Sequence, residues 1–226
     1  MEDVVFLFDY YKGTIPSFDS NKQIVLFSSH SHYDHFTTKI FDLAEQYKHI
    51  TFVLSSDIYA NNDLQTYLLS PTSIKDNIIF LKEHEEKVLP NVAVKVKTLA
   101  STDEGVAFII EYKDKVIYHA GDLNWWSWEG ETQAEYIDMT SRFKKEIAKI
   151  KDMAFDVAFV PLDPRQEGRF WWGFDHFMRE TKTNVAFPMH LWDKYETIHK
   201  LKELDRAKDY KDRVVEVSRQ GEEFTI

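Results

Sequence analysis

The sequence contains no cysteine and has few glycines and prolines among its 226 residues. Without cysteine the chain can form no disulfide, no Cys-rich zinc knuckle and no thiolate nucleophile. Because there are only seven glycines and six prolines, we expect little irregular structure, and no linker, repeat or low-complexity stretch is visible. Functions that depend on cysteine chemistry are therefore excluded.

The sequence also lacks an excess of basic residues and any long hydrophobic run. Its formal net charge is −10, so nonspecific binding of nucleic acid through a basic surface is not expected. No apolar run approaches the ~20 residues of a membrane span, and the first residues lack the basic region and cleavage site of a signal peptide. We therefore expect a cytoplasmic protein with neither nucleic acid nor membrane as a partner. The sequence leaves its oligomeric state open.

The pattern of apolar residues predicts an α/β protein. Hydrophobic residues make up 43% of the chain, enough for a substantial core, and we treat residues 1–226 as a single domain. The predicted strands are Val4–Tyr11, Ile24–Ser28, Ile50–Leu54, Ile78–Leu81, Val88–Leu99, Val106–Glu111, Lys115–His119, Val157–Val160, Val185–Pro188 and a closing pair, Val214–Val217 with Glu222–Ile226. The predicted helices are Thr37–Tyr47, Asp57–Leu69 (ended by Pro71), Thr132–Lys151, Phe174–Thr181 and Glu196–Ala207. This alternation favours two packed sheets with helices outside.

Four metal-capable side chains fall within the six residues His30–His35 (HSHYDH), directly after an apolar, β-rich run. Imidazole and carboxylate groups suit zinc and its first-row relatives. A strand that opens into a loop can aim all four side chains into one cavity, where His30 and His32 can serve one metal while Asp34 and His35 serve another. A polar loop that happens to be rich in histidine is the alternative. A fixed H-x-H-x-D-H string is much rarer than a lone histidine, so we favour the metal site.

Two later segments end predicted strands in polar, metal-capable residues. Tyr118–Asp122 (YHAGD) ends a hairpin strand, and Phe187–His190 (FPMH) ends a later strand. In this order the three motifs resemble the metallo-β-lactamase superfamily, which places a metal-bridging aspartate at the second motif and its last histidine ligand at the third. The YHAGD form is most similar to the branch that contains ascorbate-phosphate lactonase and related stand-alone hydrolases.

The resemblance implies an αββα four-layer sandwich with the metals at one edge of the two sheets. It also implies one or two divalent metals per chain, with zinc preferred and manganese or iron as alternatives. The implied ligands are His30, His32, Asp34, His35, Asp122 and His190. One metal would bind His30 and His32 and share Asp122. The other would bind Asp34, His35 and His190 together with Asp122.

One departure from the superfamily pattern concerns a further metal-binding histidine, which should lie shortly before the hairpin. The corresponding region, Thr98–Gly105, contains no histidine. Ser101, Thr102, Asp103 or water could fill the gap, and His176 could fold back to complete the site. Neutral hydroxyls are poor zinc ligands, so we expect the first site to bind metal more weakly than the second.

Three other polar residues have two interpretations each. His119 lies three residues before Asp122, and packing beside the site is favoured over ligation. Asp9 could support a histidine ligand from behind or simply form a turn. Arg165 could bind an anionic substrate group, although a surface salt bridge is favoured.

The tryptophans form a second pattern, because all six lie within six residues of Asp122, His176 or His190. Aromatic walls are common in pockets for small organic ligands. We therefore expect the segments Asn124–Trp128 and Phe170–Phe174 to line one cleft beside the metals. Core packing beside the site is the alternative.

The ligand types indicate hydrolysis of an ester, lactone, amide or phosphodiester of a small-molecule substrate. A metal pair lowers the pKa of bound water, yields hydroxide near neutral pH and polarises the scissile bond. Asp122 would be shared between the metals, and Asp34 would orient the nucleophile and accept a proton. A non-catalytic or sensing protein with an incomplete metal site is the main alternative. A di-iron redox enzyme is disfavoured because such members carry Glu where this chain has His32.

Overall fold

The protein was studied as a computed structural model that describes residues 3–69, 74–90 and 92–226. In this part of the chain the strands form two sheets. The first sheet is parallel throughout and contains, in spatial order, β1 (Val4–Phe8), β2 (Gln23–Ser28), β3 (Ile50–Ser55) and β4 (Ile78–Leu81). Its central strands β2 and β3 are almost fully buried, as expected for parallel strands covered on both faces.

The second sheet is mixed and has six strands in the order β10-β9-β8-β7-β6-β5. They are β5 (Glu86–Val88), β6 (Val94–Ala100), β7 (Val106–Tyr112), β8 (Lys115–His119), β9 (Ala154–Pro161) and β10 (Lys182–Met189). Strands β5 to β8 pair antiparallel, and β8, β9 and β10 pair parallel. The carboxyl ends of β8, β9 and β10 therefore meet at one edge of this sheet.

The helices cover the outer faces of the sheets. They are α1 (Leu43–Gln46), α2 (Asn62–Leu68), α3 (Gln133–Ala148), α4 (Trp172–Glu180) and α5 (Glu196–Glu203). Helix α3 begins with a capping box in which Thr132 and Glu135 bond each other's backbone N–H groups. Within the residues described, no helix has the length and apolar character needed to cross a membrane.

Three hydrophobic clusters define the layers. The middle cluster joins Phe27 of the first sheet to Phe108 of the second. An outer cluster packs Leu64 of α2 against the other face of the first sheet, and a third packs Phe143 of α3 and Phe177 of α4 against the second sheet. The predicted αββα four-layer sandwich is therefore confirmed.

Three predicted helices are divided into shorter segments, and one of them, Glu196–Ala207, forms α5 followed by a 3-10 turn at Asp205–Ala207. The segment Thr37–Tyr47 forms a 3-10 turn at Thr38–Asp42 followed by α1, and Asp57–Leu69 contains a 3-10 turn at Ser56–Ala60 before α2. The side chain of Asn61 accepts hydrogen bonds from the backbone of the residues that follow it and so begins a new helix. Pro71, expected to end this helix, lies outside the described residues.

Two strand predictions need correction. The expected run Val88–Leu99 is a hairpin, because β5 and β6 pair antiparallel around a turn. The closing pair Val214–Val217 with Glu222–Ile226 does not form. Only Val214 bridges to β10, and the carboxylate of Glu222 accepts bonds from the backbone N–H and hydroxyl of Ser218, which makes a side-chain-held loop in place of a ladder.

Candidate metal centre

The HSHYDH loop begins where β2 ends, and Asp9 fixes its start. Asp9 follows β1, the neighbour of β2, and its carboxylate accepts bonds from the Ser29 backbone N–H (2.7 Å) and hydroxyl (2.8 Å). The same carboxylate lies 2.8 Å from Nδ1 of His35. Asp9 therefore supports a candidate ligand from behind, and of its two predicted roles the structure shows this one.

A first group of candidate ligands contains His30, His32 and Asp122. Nε2 of His30 lies 3.0 Å from Nδ1 of His32 and 3.7 Å from Oδ2 of Asp122. His30 and Asp122 are buried, whereas the side chain of His32 is 42% exposed. The first group is thus open to solvent on the side of His32.

A second group contains Asp34, His35 and His190. Nε2 of His35 lies 3.8 Å from Oδ2 of Asp34. Asp122 also borders this group, because its Oδ1 lies 3.5 Å from Nε2 of His35 and 3.2 Å from Nε2 of His190. The Asp122 carboxylate therefore stands between the two groups, with one oxygen toward each. All six residues predicted as ligands from the sequence meet at this edge of the sandwich.

The donor atoms fit a divalent cation. Oδ1 of Asp122 and Nε2 of His190 are both buried and lie 3.2 Å apart, yet they form no hydrogen bond of good geometry and neither has another partner in the protein. A buried polar atom without a partner is costly, which implies that something outside the protein completes these atoms. Imidazole nitrogen and carboxylate oxygen are the ligands that zinc and other first-row metals prefer.

The charges of the site depend on how its histidines pair with carboxylates. Burial alone would lower the pKa of His190, but the carboxylates of Asp122 and Asp163 outweigh it and raise the pKa to about 9. At His30, burial and the nearby His35 lower the pKa, and they outweigh the Asp122 carboxylate, which alone would raise it. In the metal-free protein His190 is therefore a cation at neutral pH, whereas His30 is neutral and ready to donate its lone pair.

Asp163 is a site residue that the sequence interpretation missed. It is fully buried, and its carboxylate lies 2.9 Å from Nδ1 of His190. It also pairs with the guanidinium of Arg165, which stacks over the ring of Trp192 at 4.3 Å. Asp163 thus orients His190 as Asp9 orients His35. Arg165 forms a salt bridge, but with the fully buried Asp163 beside the site and not at the surface as expected.

The gap left by the missing histidine is approached by Glu104. The hydroxyl of Thr102, one predicted substitute, bonds the backbone carbonyl of Asn124 (2.6 Å), so it is committed to holding the loop after Asp122. Oε2 of Glu104 lies 3.5 Å from Nε2 of His32. This contact leaves Nδ1 of His32, the atom that faces His30, available to a metal.

The two other histidines considered as possible ligands lie outside both groups. The suggestion that His176 completes the first site is wrong, because its ring packs against Phe143 (5.6 Å) and Trp125 (6.1 Å). His119 stacks on Phe8 at 4.7 Å and accepts a bond from the Gly121 backbone N–H. The packed role expected for His119 is thus what the structure shows.

The tryptophans divide between two places. Trp126 donates to the backbone carbonyl of Asp122 (2.9 Å), and its ring lies 5.5 Å from that of His190. Trp125 points the other way and, with Trp171, Trp172 and His176, lines a separate cavity of about 300 Å³. The expectation that both segments line one cleft is therefore wrong: Trp126 is buried beside His190 without lining the cleft, and Phe170–Phe174 lies at the separate cavity.

The backbone that presents the last histidine is left-handed. His190, Trp192 and Asp193 have φ values of 64°, 52° and 59°, a conformation unfavourable for residues with a Cβ atom. The turn brings the Trp192 indole within 3.2 Å of the Asp163 carboxylate. Local strain thus accompanies the placement of the His190 ring beside Asp122.

Comparison with known proteins returns distant structural matches. No family model and no curated protein sequence matches the chain. The solved structures similar to it include CmlA, a di-iron β-hydroxylase from Streptomyces venezuelae (10% identity, TM-score 0.48, covering 82% of this chain and 41% of that one). Zn²⁺-bound PqqB from Methylobacterium extorquens is also similar, with 12% identity and a TM-score of 0.46, covering 85% of this chain and 68% of that one. A third similar structure is YhfI from Bacillus subtilis, a metallo-β-lactamase fold protein, with 10% identity and a TM-score of 0.47, covering 85% of this chain and 73% of that one. The chain spans about two fifths of the CmlA structure that it matches.

The architecture and the motif order agree with one another. The six candidate ligands lie at one edge of a four-layer sandwich, in the chain order of the three motifs. The fold is an αββα four-layer sandwich, the architecture that the motifs' resemblance to the metallo-β-lactamase superfamily implies. The more specific resemblance to the ascorbate-phosphate lactonase-like branch stays a prediction.

We expect zinc to bind the two groups unequally. The second group has two histidines, Asp34 and the shared Asp122, whereas the first has two histidines and Asp122 alone. A calorimetric titration of chelator-treated protein should show two unequal steps, or only one zinc per chain. Because the pKa of His190 is about 9, the tighter step should release a proton at pH 7, and this release should decline as the pH approaches 9.

Two substitutions show which group of ligands produces each binding step. Asp163→Asn removes the charge behind His190 and should weaken the tighter step by about 10–100-fold. Glu104→Gln alters the contact with His32 and should affect only the weaker step. Two equal, tight steps would contradict the expectation and would mean that another group fully replaces the missing histidine.

Proposed function

We propose that the protein is a metal-dependent hydrolase that acts on an ester, lactone, amide or phosphodiester of a small substrate. The observation that carries this proposal is the position of Asp122, whose two carboxylate oxygens face two separate histidine groups. That arrangement suits two cations held close together. Zinc is the proposed metal, with manganese or iron as alternatives that the same ligand types accept.

Each residue has a proposed role in the reaction. A bound metal pair would lower the pKa of water and polarise the carbonyl or phosphoryl oxygen of a substrate. His30, His32, His35 and His190 would hold the metals, and Asp122 would bind both of them. The carboxylate of Asp34, which is partly exposed to the cleft, would orient the attacking water and accept its proton.

A cleft beside the second group offers space for the substrate. Its volume is about 850 Å³, and Asp34, His35, His190 and Trp192 contribute to its walls. This volume falls within the range of pockets that bind small organic molecules. A small-molecule substrate is therefore proposed, and neither nucleic acid nor a membrane enters the proposal.

A non-catalytic or sensing role is the second candidate. The observation that favours it is the first group, which has no further histidine: Glu104 contacts Nε2 of His32, whereas Nδ1 is the atom that faces His30. A protein that binds one metal tightly and turns over no substrate would fit this alternative.

Metal removal and restoration test the proposal. Chelator-treated protein should lose hydrolysis of a panel of esters, lactones and phosphodiesters, and added zinc or manganese should restore it. Metal analysis of protein purified without chelator shows which ion is retained. Turnover that persists after complete metal removal would contradict the proposal, whereas bound metal without turnover across the panel would favour the sensing role.

A further inference from the structure

The two sheets differ in width, and this leaves one apolar face uncovered. The second sheet continues past β8 through β9 and β10, whereas the first sheet ends at β1 among the described residues. On β9 and β10 the residues facing outward, such as Ala158 and Ala186, are fully buried beneath the helices. Their neighbours Val157, Val185 and Phe187 face inward and remain partly exposed. A strand opposite them would have buried these side chains.

The uncovered face forms one wall of a groove of about 750 Å³. The edge strand β1 supplies the opposite wall with Val4, Phe6 and Phe8. Charged side chains lie at the far end, where Lys115 and Asp156 pair at 3.1 Å and so offset each other. Lys22 and Asn184 also contribute to its lining, so the groove is mostly apolar and carries polar groups at its margins.

The groove adjoins the cleft at the metal centre, and the rings of Phe8 and Phe159 lie 5.7 Å apart at their common border. Phe6, Phe8 and Phe159 line both spaces, and the metal-side space contains His35 and His190. The groove follows β1, whose five residues span roughly 16 Å at about 3.3 Å per residue. This length suits an extended acyl chain of medium length.

The C-terminal residues cover the face only in part. The ring of Phe224 packs on Phe187 at 5.4 Å, near the metal side. Ile226 lines the groove but is itself 70% exposed. Apolar surface thus remains open between Phe224 and the far end.

We propose that the groove binds the apolar chain of the substrate and places its hydrolysable head group at the metal centre. This inference rests on the proposed hydrolase function, and it narrows the substrate class to esters, lactones or amides with an aliphatic chain. In this arrangement the junction between the apolar chain and the head group of the substrate lies beside Phe8 and Phe159. Val157 and Val185 contact the distal part of the chain.

Binding of fatty acids tests the groove without any turnover. Decanoate and butyrate share a head group and differ only in methylenes, each of which contributes roughly fourfold in affinity when buried. Decanoate should therefore bind at least about thirtyfold more tightly than butyrate, with or without added zinc, as measured by calorimetry. With zinc present, decanoyl esters should show a higher kcat/KM than butyryl esters.

Blocking variants assign the effect to the groove. Val185→Trp should fill it and remove the advantage of decanoate while leaving butyrate unchanged. Lys182→Trp adds the same ring at an exposed position of the same strand and serves as the matched control. If Val185→Trp fails to fold, Val157→Phe on β9 provides a smaller obstruction of the same wall.

The outcomes separate this inference from the function on which it rests. Equal affinities for the two acids, or a decanoate affinity unaffected by both blocking variants, would overturn the groove assignment even if short esters are hydrolysed. Chain-length-dependent binding without turnover of any ester would support the groove and reject the hydrolase. The wild-type protein could instead form a dimer that does not bind decanoate and that dissociates when Val185→Trp is introduced. That result would show that a second copy covers the face, which also overturns the inference.

Discussion

Asp122→Ala should abolish hydrolysis while leaving the fold largely intact. The carboxylate stands between the two histidine groups, at 3.7 Å from His30 and 3.2 Å from His190. Its loss would leave two cations poorly compensated and would remove the geometry that activates water. We expect kcat/KM on the best substrate of the panel to fall by on the order of 10³-fold or more.

The folding control and a matched variant make this result interpretable. Circular dichroism should match that of the wild type, because Asp122 follows a strand end and is not part of an apolar cluster. Asp122→Asn keeps the shape but not the charge and should be nearly as inactive, whereas Asp138→Ala, on an exposed face of α3, should be close to wild type. Near-wild-type turnover by folded Asp122→Ala would mean that the chemistry runs elsewhere.

Gly105→Ala should strongly destabilise the protein and disturb the metal loop. Gly105 has a φ of +68°, and a Cβ atom there would lie 1.9 Å from the carbonyl oxygen of Ser29 and 2.6 Å from Cβ of His30. Left-handed backbone and overpacking together should lower the free energy of unfolding by on the order of 3 kcal/mol. Denaturant unfolding measures this loss, and zinc affinity should fall with it because His30 must move.

Gly221 provides a control with the same backbone conformation. Its φ is +69°, but a Cβ atom there would meet nothing within 4 Å. Gly221→Ala should therefore cost only about 1 kcal/mol, the effect of the left-handed conformation alone. Equal losses in the two variants would show that contact with the Ser29 backbone does not matter and that the metal loop is free to shift.

The ligand positions were predictable because they follow strand ends. An apolar run such as Ile24–Phe27 fixes β2, and a polar string directly after it must lie at the edge of the sheet. The same reasoning places Asp122 after β8 and His190 after β10. Burial on both faces and the order of elements then leave few alternatives to a layered sandwich.

Among the supporting residues, Asp9 was suggested from the sequence, but Asp163 and Glu104 were not predictable without the register of the strands. Met189 pairs with Pro161 across β10 and β9, so the residues just beyond them, His190 and Asp163, come together although they are far apart in sequence. Glu104 reaches His32 only because the loop before β7 docks on Ser29 through the bond from Val106 N–H. Such contacts are set by tertiary pairing and leave no local pattern.

The tryptophan expectation failed in part for a related reason. Trp125 and Trp126 are neighbours in sequence but point to opposite sides, one into the cavity near His176 and the other toward His190. Sequence proximity to the ligands therefore could not tell which ring faces the centre. The closing strand pair failed because one bridge at Val214 does not extend into a ladder.

The left-handed turn at His190 has a consequence for how the protein could be stabilised. His190 and Trp192 each hold a conformation that disfavours side chains by about 1–2 kcal/mol, a sizeable fraction of a domain's typical 5–15 kcal/mol. Variants selected for heat resistance alone would tend to relax this turn, since relief of strain is among the easiest gains available. Relaxation would rotate the imidazole away from Asp122 and its buried partner Asp163. At this turn, selection for thermostability and selection for metal binding therefore act in opposite directions.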